Sequence, residues 1–215
     1  MAVIHHTTLT PTKVELLTAW LPSRPWYGGT GSAPRLARAG GFRLDDPEGE
    51  VGIEFLVVID GPGDAAPAYL TPLTYRATPL DGGRAGLIGT LEHGVLGKRW
   101  VYDGAHDPVL VGQLLALLAG RVAAQAQGES DTPDPTVEVR TVDADLPAGL
   151  TEVTETTGAT VLAAPGAPWT LSLTRVLRPG PAAGRDVRGQ VLAPWSAPDG
   201  AAPRGAFAVL RDSAR

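Results

Sequence analysis

The sequence predicts an α+β fold, in which a curved antiparallel sheet packed with two helices is followed by a β-rich C-terminal half. Three observations lead there. Apolar and polar side chains alternate at a two-residue period from about Gly41 to Tyr102, the pattern of half-buried strands. A single strongly apolar run, Val109 to Leu118, keeps helical spacing behind an Asp-Pro start. Beyond Gln127, extended patterns recur without a helical one among them.

Val3 to Leu9 carries β-branched residues in an extended pattern and leads into a helix start. Thr12 with Glu15 three residues later forms a capping box, in which each side chain satisfies a backbone N–H of the other. Val14, Leu17, Trp20 and Leu21 then share a face, and Pro22 ends the helix. A Gly- and Ser-rich loop follows with Trp26 and Tyr27, two large aromatics expected to plug the edge of the core or to meet a ligand. Val51, Ile53, Phe55, Val57 and Ile59 alternate on one face of a strand with Glu54 opposite. Tyr69 to Thr78 is a second extended run, and Pro72 and Pro79 place it at an edge or a bulge. Asp81-Gly82-Gly83 signals a hairpin before Leu87 to Leu91, and Glu92-His93-Gly94 a further turn before a strand at Arg99 to Tyr102. The expected topology is a meander with one buried face, covered by a helix that opens at Asp107-Pro108 and continues to about Gln127. Trp100 and Leu114 are expected core residues.

Gly128 to Pro135 is polar and proline-bearing, the composition of a linker. It divides the chain into residues 1–127 and a β-rich lobe or sheet extension at 136–215. Runs at Val137 to Val142, Leu150 to Thr156, Thr160 to Ala163, Trp169 to Leu177, Val187 to Ala193 and Phe207 to Leu210 supply its strands.

Composition excludes several classes of function. The chain has 215 residues, a net charge of -5 and scattered Lys and Arg, so it lacks the basic footprint that nucleic acid or an anionic membrane demands. With no cysteine there is neither a disulfide framework nor thiolate chemistry. The most apolar stretch is ten residues, half of a bilayer span, and the N-terminus lacks a secretory pattern, so a cytoplasmic location is expected.

Several segments together resemble a known family: Val3-Ile4-His5-His6-Thr7-Thr8-Leu9, Ala19-Trp20-Leu21-Pro22 with Trp26-Tyr27, Val51 to Val58, Pro72-Leu73-Thr74-Tyr75-Arg76, His93-Gly94-Val95-Leu96-Gly97, Trp100-Val101-Tyr102-Asp103-Gly104 and His106-Asp107-Pro108. Met1 to about Gln127 is similar to the N-terminal cap of actinobacterial maltokinases, also found in standalone proteins labelled α-glucan branching. The resemblance implies a curved antiparallel sheet with helices, and a link to α-glucan or trehalose metabolism. A maltokinase needs a two-lobed kinase core beyond its cap, with a phosphate-covering loop and a catalytic aspartate. The residues after Gln127 carry neither, so phosphoryl transfer is not expected of this chain.

No catalytic set is predicted, and no cofactor. His5 and His6 are adjacent, which in a strand points them to opposite faces, and neither His93 nor His106 has ligand spacing, so no metal site is expected. Glu54 with Asp103 is the carboxylate pair to weigh for glycoside chemistry against a role as solvated surface charges. Trp26, Tyr27, Tyr75, Arg76, Arg99, Trp100 and Tyr102 are the candidate ligand-binding residues, because sugar rings stack on aromatic faces and bond planar polar groups. The expected function is that of a non-catalytic accessory or binding protein. Its partner would be a kinase or glucan-pathway enzyme, or a second copy of itself. The alternative is a small carbohydrate-binding or carbohydrate-active protein with its site between the two halves.

Overall fold

A computed structural model describes residues 8–29, 31, 33–63, 65–140 and 149–213. Most of the extended run expected from Val3, the His5-His6 pair and the end of the Val137 to Val142 run lie outside them. The described chain builds two six-stranded antiparallel sheets and two α-helices.

The first sheet comprises β1 (Leu9–Thr10), β2 (Leu36–Leu44), β3 (Gly52–Asp60), β4 (Ala68–Arg76), β5 (Leu87–His93) and β6 (Gly97–Asp103), in the spatial order β1-β5-β6-β4-β3-β2. Helix α1 (Lys13–Trp20) begins with the predicted capping box: the Thr12 N–H donates to Glu15 Oε2 at 2.7 Å, and the Glu15 N–H to Thr12 Oγ1 at 3.2 Å. Helix α2 (Pro108–Leu118) starts at Asp107, whose carboxylate caps the Val109 N–H. It stops nine residues short of the predicted end, because Gly120 adopts φ 69°. The Arg121 N–H then bonds the Ala116 carbonyl and the Gly120 N–H that of Leu117, a Schellman ending.

Both faces of β3 and β4 are buried, where one was expected. Phe55, Val57 and Leu70 meet α2 and the second sheet, while Leu56, Val58, Tyr69 and Leu73 meet Leu17, Leu21 and Trp26 on the side of α1. β4 is interior, pairing with β3 and β6, despite Pro72. The Leu70 N–H points away from β3, to the Arg175 carbonyl, so by the two-residue period Pro72 has its missing N–H on that side too. There β4 changes partner, from residues 175–177 to β6, whose last residue, Asp103, is opposite Leu73. The proline therefore costs the ladder nothing.

The meander is also broken. After Asp81-Gly82-Gly83 the chain passes through a 3-10 turn (Gly83–Gly86) to β5, which pairs with β6 and leaves β6 beside β4. Gly86 permits the crossing, since a Cβ there would fall 2.4 Å from that of His106. β2 starts five residues before the alternation expected from Gly41 and runs through Gly40 and Gly41. Both hold positive φ beside a bulge, and a Cβ on Gly41 would meet the Phe55 carbonyl oxygen at 1.8 Å.

The second sheet comprises β7 (Glu138–Arg140), β8 (Glu152–Glu155), β9 (Ala159–Ala163), β10 (Trp169–Thr174), β11 (Val187–Pro194) and β12 (Arg204–Asp212), in the order β7-β11-β12-β10-β9-β8. Every described strand overlaps a predicted run. Its inner face, with Leu162, Leu171, Leu173 and Phe207, joins α2 and the first sheet in one apolar cluster. Phe42 stacks on Phe55 at 4.5 Å and lies 5.9 Å from Phe207, ring centre to ring centre. Residues 128–135 stand between the two sheets in sequence and are bonded back to the chain before them, the Asp134 N–H to the Ala124 carbonyl and the Ala126 N–H to that of Thr132.

Leu114 is fully buried at the centre of this cluster. Leu114→Ala should cost about 2–5 kcal/mol through lost burial and a residual cavity. Urea unfolding measures this, and an unchanged midpoint would contradict the packing described.

Candidate functional site

The sequence-predicted site residues divide between the two faces of the first sheet. Arg76, Trp100 and Tyr102 share one face, because Arg76 is opposite Trp100, and Trp100 and Tyr102 are two residues apart. Tyr75 and Arg99 point to the other, the side of α1, where Trp26 and Tyr27 also pack. The seven do not converge on a single surface.

Most are bound into the fold. Trp26 is 2% exposed: its ring lies 5.7 Å from Trp20 and its indole N–H donates to Glu155 Oε1 of β8 at 3.0 Å. Tyr27 donates to Asp60 at 2.6 Å and lies 5.4 Å from the Tyr69 ring. The Tyr102 hydroxyl accepts the Leu80 N–H. Arg76 makes a two-point contact with Asp107, both distances 2.7 Å, and Thr74 donates to the same carboxylate. Burial alone would raise the Asp107 pKa, but Arg76 and Thr74 outweigh it and hold the group below its ordinary value. Arg99 donates to the Lys98 carbonyl. Trp100 is half-buried rather than core, with the Lys98 ammonium 4.9 Å from its ring centre.

Two buried carboxylates dominate the α1 side. Glu54 and Asp103 are both opposite Leu73, on β3 and β6, which sets them two strand spacings apart, about 10 Å, on one face. They were weighed as solvated surface charges, and the structure corrects this: Glu54 is 4% and Asp103 1% exposed. Their opposite charges come from far away in sequence, which no local pattern reveals. Glu54 accepts from Lys13 Nζ at 2.6 Å, the Tyr75 hydroxyl at 2.7 Å and Gln127 Nε2 at 3.2 Å, with Arg38 at 3.7 Å. Burial works to raise its pKa, but Lys13, Tyr75 and Arg38 prevail and lower it. Desolvation, with Glu54 beside it, pushes the Tyr75 phenol well above its ordinary value.

Both carboxylate oxygens of Asp103 accept from one donor, Arg175 Nη2, Oδ1 at 2.7 Å and Oδ2 at 2.6 Å. Arg175 Nε donates to Thr160 Oγ1 at 2.7 Å, and the guanidinium lies 5.0 Å from the Trp26 ring centre. Arg24 reaches Glu155 beside them.

This arrangement does not suit glycoside hydrolysis. That reaction needs one carboxyl with a raised pKa to protonate the leaving group, whereas Glu54 is held ionised and Asp103 is saturated by Arg175 and by the Ala105 N–H. The crevice beside Lys13 and Tyr75, lined by Leu16, Leu17, Leu73, Ile88 and Val101, is too narrow to seat a water molecule. Among the described residues no three His, Cys, Asp or Glu side chains gather as metal ligands, and no helix is long and apolar enough to cross a membrane. Both cations of the Glu54 cluster could have been anticipated, Lys13 as the first residue of a capped helix and Arg38 as a basic residue two places before a glycine pair. Arg175 carried no signal.

Glu54 and Asp107 give stability that is complete above their unfolded pKa values, roughly 4.3 and 3.9, and lost as pH falls through the lower folded ones. The melting temperature should therefore decline below about pH 4. Glu54→Gln should lower it at pH 7 and flatten the acid slope; an acid slope identical to the wild type would show that the Glu54 charge is not linked to folding.

A search of curated proteins returned no match. Residues 20–107, from the end of α1 to the cap of α2, match the family model described as the maltokinase N-terminal cap domain, so this part of the chain is similar to that cap.

Proposed function

We propose that this chain is a non-catalytic accessory protein that acts by docking to an enzyme of α-glucan or trehalose metabolism. The observation that carries it is the cap-like segment itself, residues 20–107. Support comes from the ionisable groups: Glu54, Asp103 and Asp107 are each engaged by a cation that ties one element to another. The residues after that segment form α2 and the second sheet, which cover its apolar face.

Direct carbohydrate binding is the second reading, and Trp100 favours it. Its half-buried ring, with Thr90 and Arg76 opposite in register and the Lys98 ammonium beside it, combines an aromatic surface with polar neighbours, as sugar sites do.

One preparation tests both. The tagged protein, recovered from extract of its native cell, should carry a kinase or glucan-pathway enzyme in near-stoichiometric amount, and purified protein titrated with maltose should give no heat. Maltose binding without a captured enzyme would replace the docking reading with the sugar-binding one.

A further inference from the structure

Among the described residues four large aliphatic side chains are exposed, and three belong to the β5–β6 unit: Leu87 at 40%, Val95 at 61% and Leu96 at 44%. Elsewhere the chain covers its own first sheet. α1 lies on one face, and α2 with the second sheet on the other. The outer edge of β2 bonds Gln125 through Arg43 and Ser196 through Ala39. The β5–β6 wing is what the fold leaves open.

Val95 and Leu96 form the tip of this hairpin, and the tip is held in shape. His93 Nδ1 accepts the N–H of Val95 at 3.3 Å and that of Leu96 at 3.1 Å, and the Gly94 N–H bonds the Thr8 carbonyl. Gly97 closes the turn at φ 69°, a conformation that costs a side-chain-bearing residue. An apolar pair presented on a preformed loop loses little conformational freedom on binding, which is how a small contact gains affinity.

Lys98 and Arg99 follow directly, and among the described residues neither enters an ion pair. Glu92, opposite Lys98, is the one exposed carboxylate on the two strands. Lys98 and Arg99, adjacent in the strand, point to opposite faces, so on a chain of net charge -5 they set one positive charge on each side of the hairpin behind an apolar tip. Their charge complement is acidic.

We propose that the β5–β6 hairpin is a docking finger, with Val95 and Leu96 entering an apolar pocket on a protein partner and Lys98 and Arg99 meeting carboxylates at its rim. This rests on the accessory reading above and names the surface and partner chemistry that reading requires.

The test compares full-length tagged chains in the same native extract, scoring only a kinase or glucan-pathway enzyme identified in stoichiometric amount. Wild type should recover it, less so as salt is raised. Val95→Asp with Leu96→Asp, and separately Lys98→Glu with Arg99→Glu, should each recover at least about tenfold less while still unfolding cooperatively; the first pair should melt as wild type and the second somewhat lower, because Lys98→Glu leaves the Trp100 ring and faces Glu92. Variants that fold and recover the enzyme as well as wild type overturn the finger and leave the accessory reading standing. A wild-type chain that recovers no such enzyme overturns both. The charge-reversal pair keeps the test decisive if the aspartate pair fails to fold.

Discussion

A guanidinium sealed from water fixes how the two sheets meet. Arg175 and Asp103 are 0% and 1% exposed, and neither could be left alone in that environment. Removing one partner of such a pair typically costs about 3–5 kcal/mol, chiefly because the other charge stays buried and unmatched. Asp103 ends the last strand of the first sheet, while Arg175 follows the third from last strand of the second. The chain at 175–177 then leaves its own sheet to bond with β4, the Leu70 N–H to the Arg175 carbonyl and the Leu177 N–H to that of Ala68. One run of residues thus serves both sheets, and a single ion pair holds its register.

Other contacts gather on this joint. Trp26 lies against Arg175 on one side and donates to Glu155 on the other, so the loop after α1 is pinned by the C-terminal sheet. Glu54 ties α1 to the same face through Lys13, and Asp107 joins β4 to α2 through Arg76. Glu54, Asp103 and Asp107 thus each hold one element to another. The β5–β6 wing, with Leu87, Val95 and Leu96 exposed, is the part of the first sheet that the rest of the chain leaves uncovered.

Local chemistry made much of this legible. The Thr12–Glu15 box, the Asp107-Pro108 start and the alternation at Val51 to Ile59 act over a few residues, and each produced the expected element. Long-range pairing did not show. Pro72 read as an edge signal because its role depends on a partner a hundred residues away. The alternation reads only from Gly41, whose lack of a side chain admits the Phe55 carbonyl oxygen, a contact across the ladder that no local pattern shows. Glu54 and Asp103 read as solvated because Lys13, Arg38 and Arg175 are distant in sequence. The cap-like character was visible as whole-segment similarity, whereas the candidate residues were chosen by type alone and proved to be divided between two faces.

If the Arg175–Asp103 joint makes the two sheets one cooperative body, native-state hydrogen exchange should find the amides of β3 and β12 opening with the same free energy. Arg175→Met should lower both by the same amount. A variant in which β12 exchanges faster while β3 keeps its wild-type protection would show that the sheets are stabilised separately, and would contradict the shared joint.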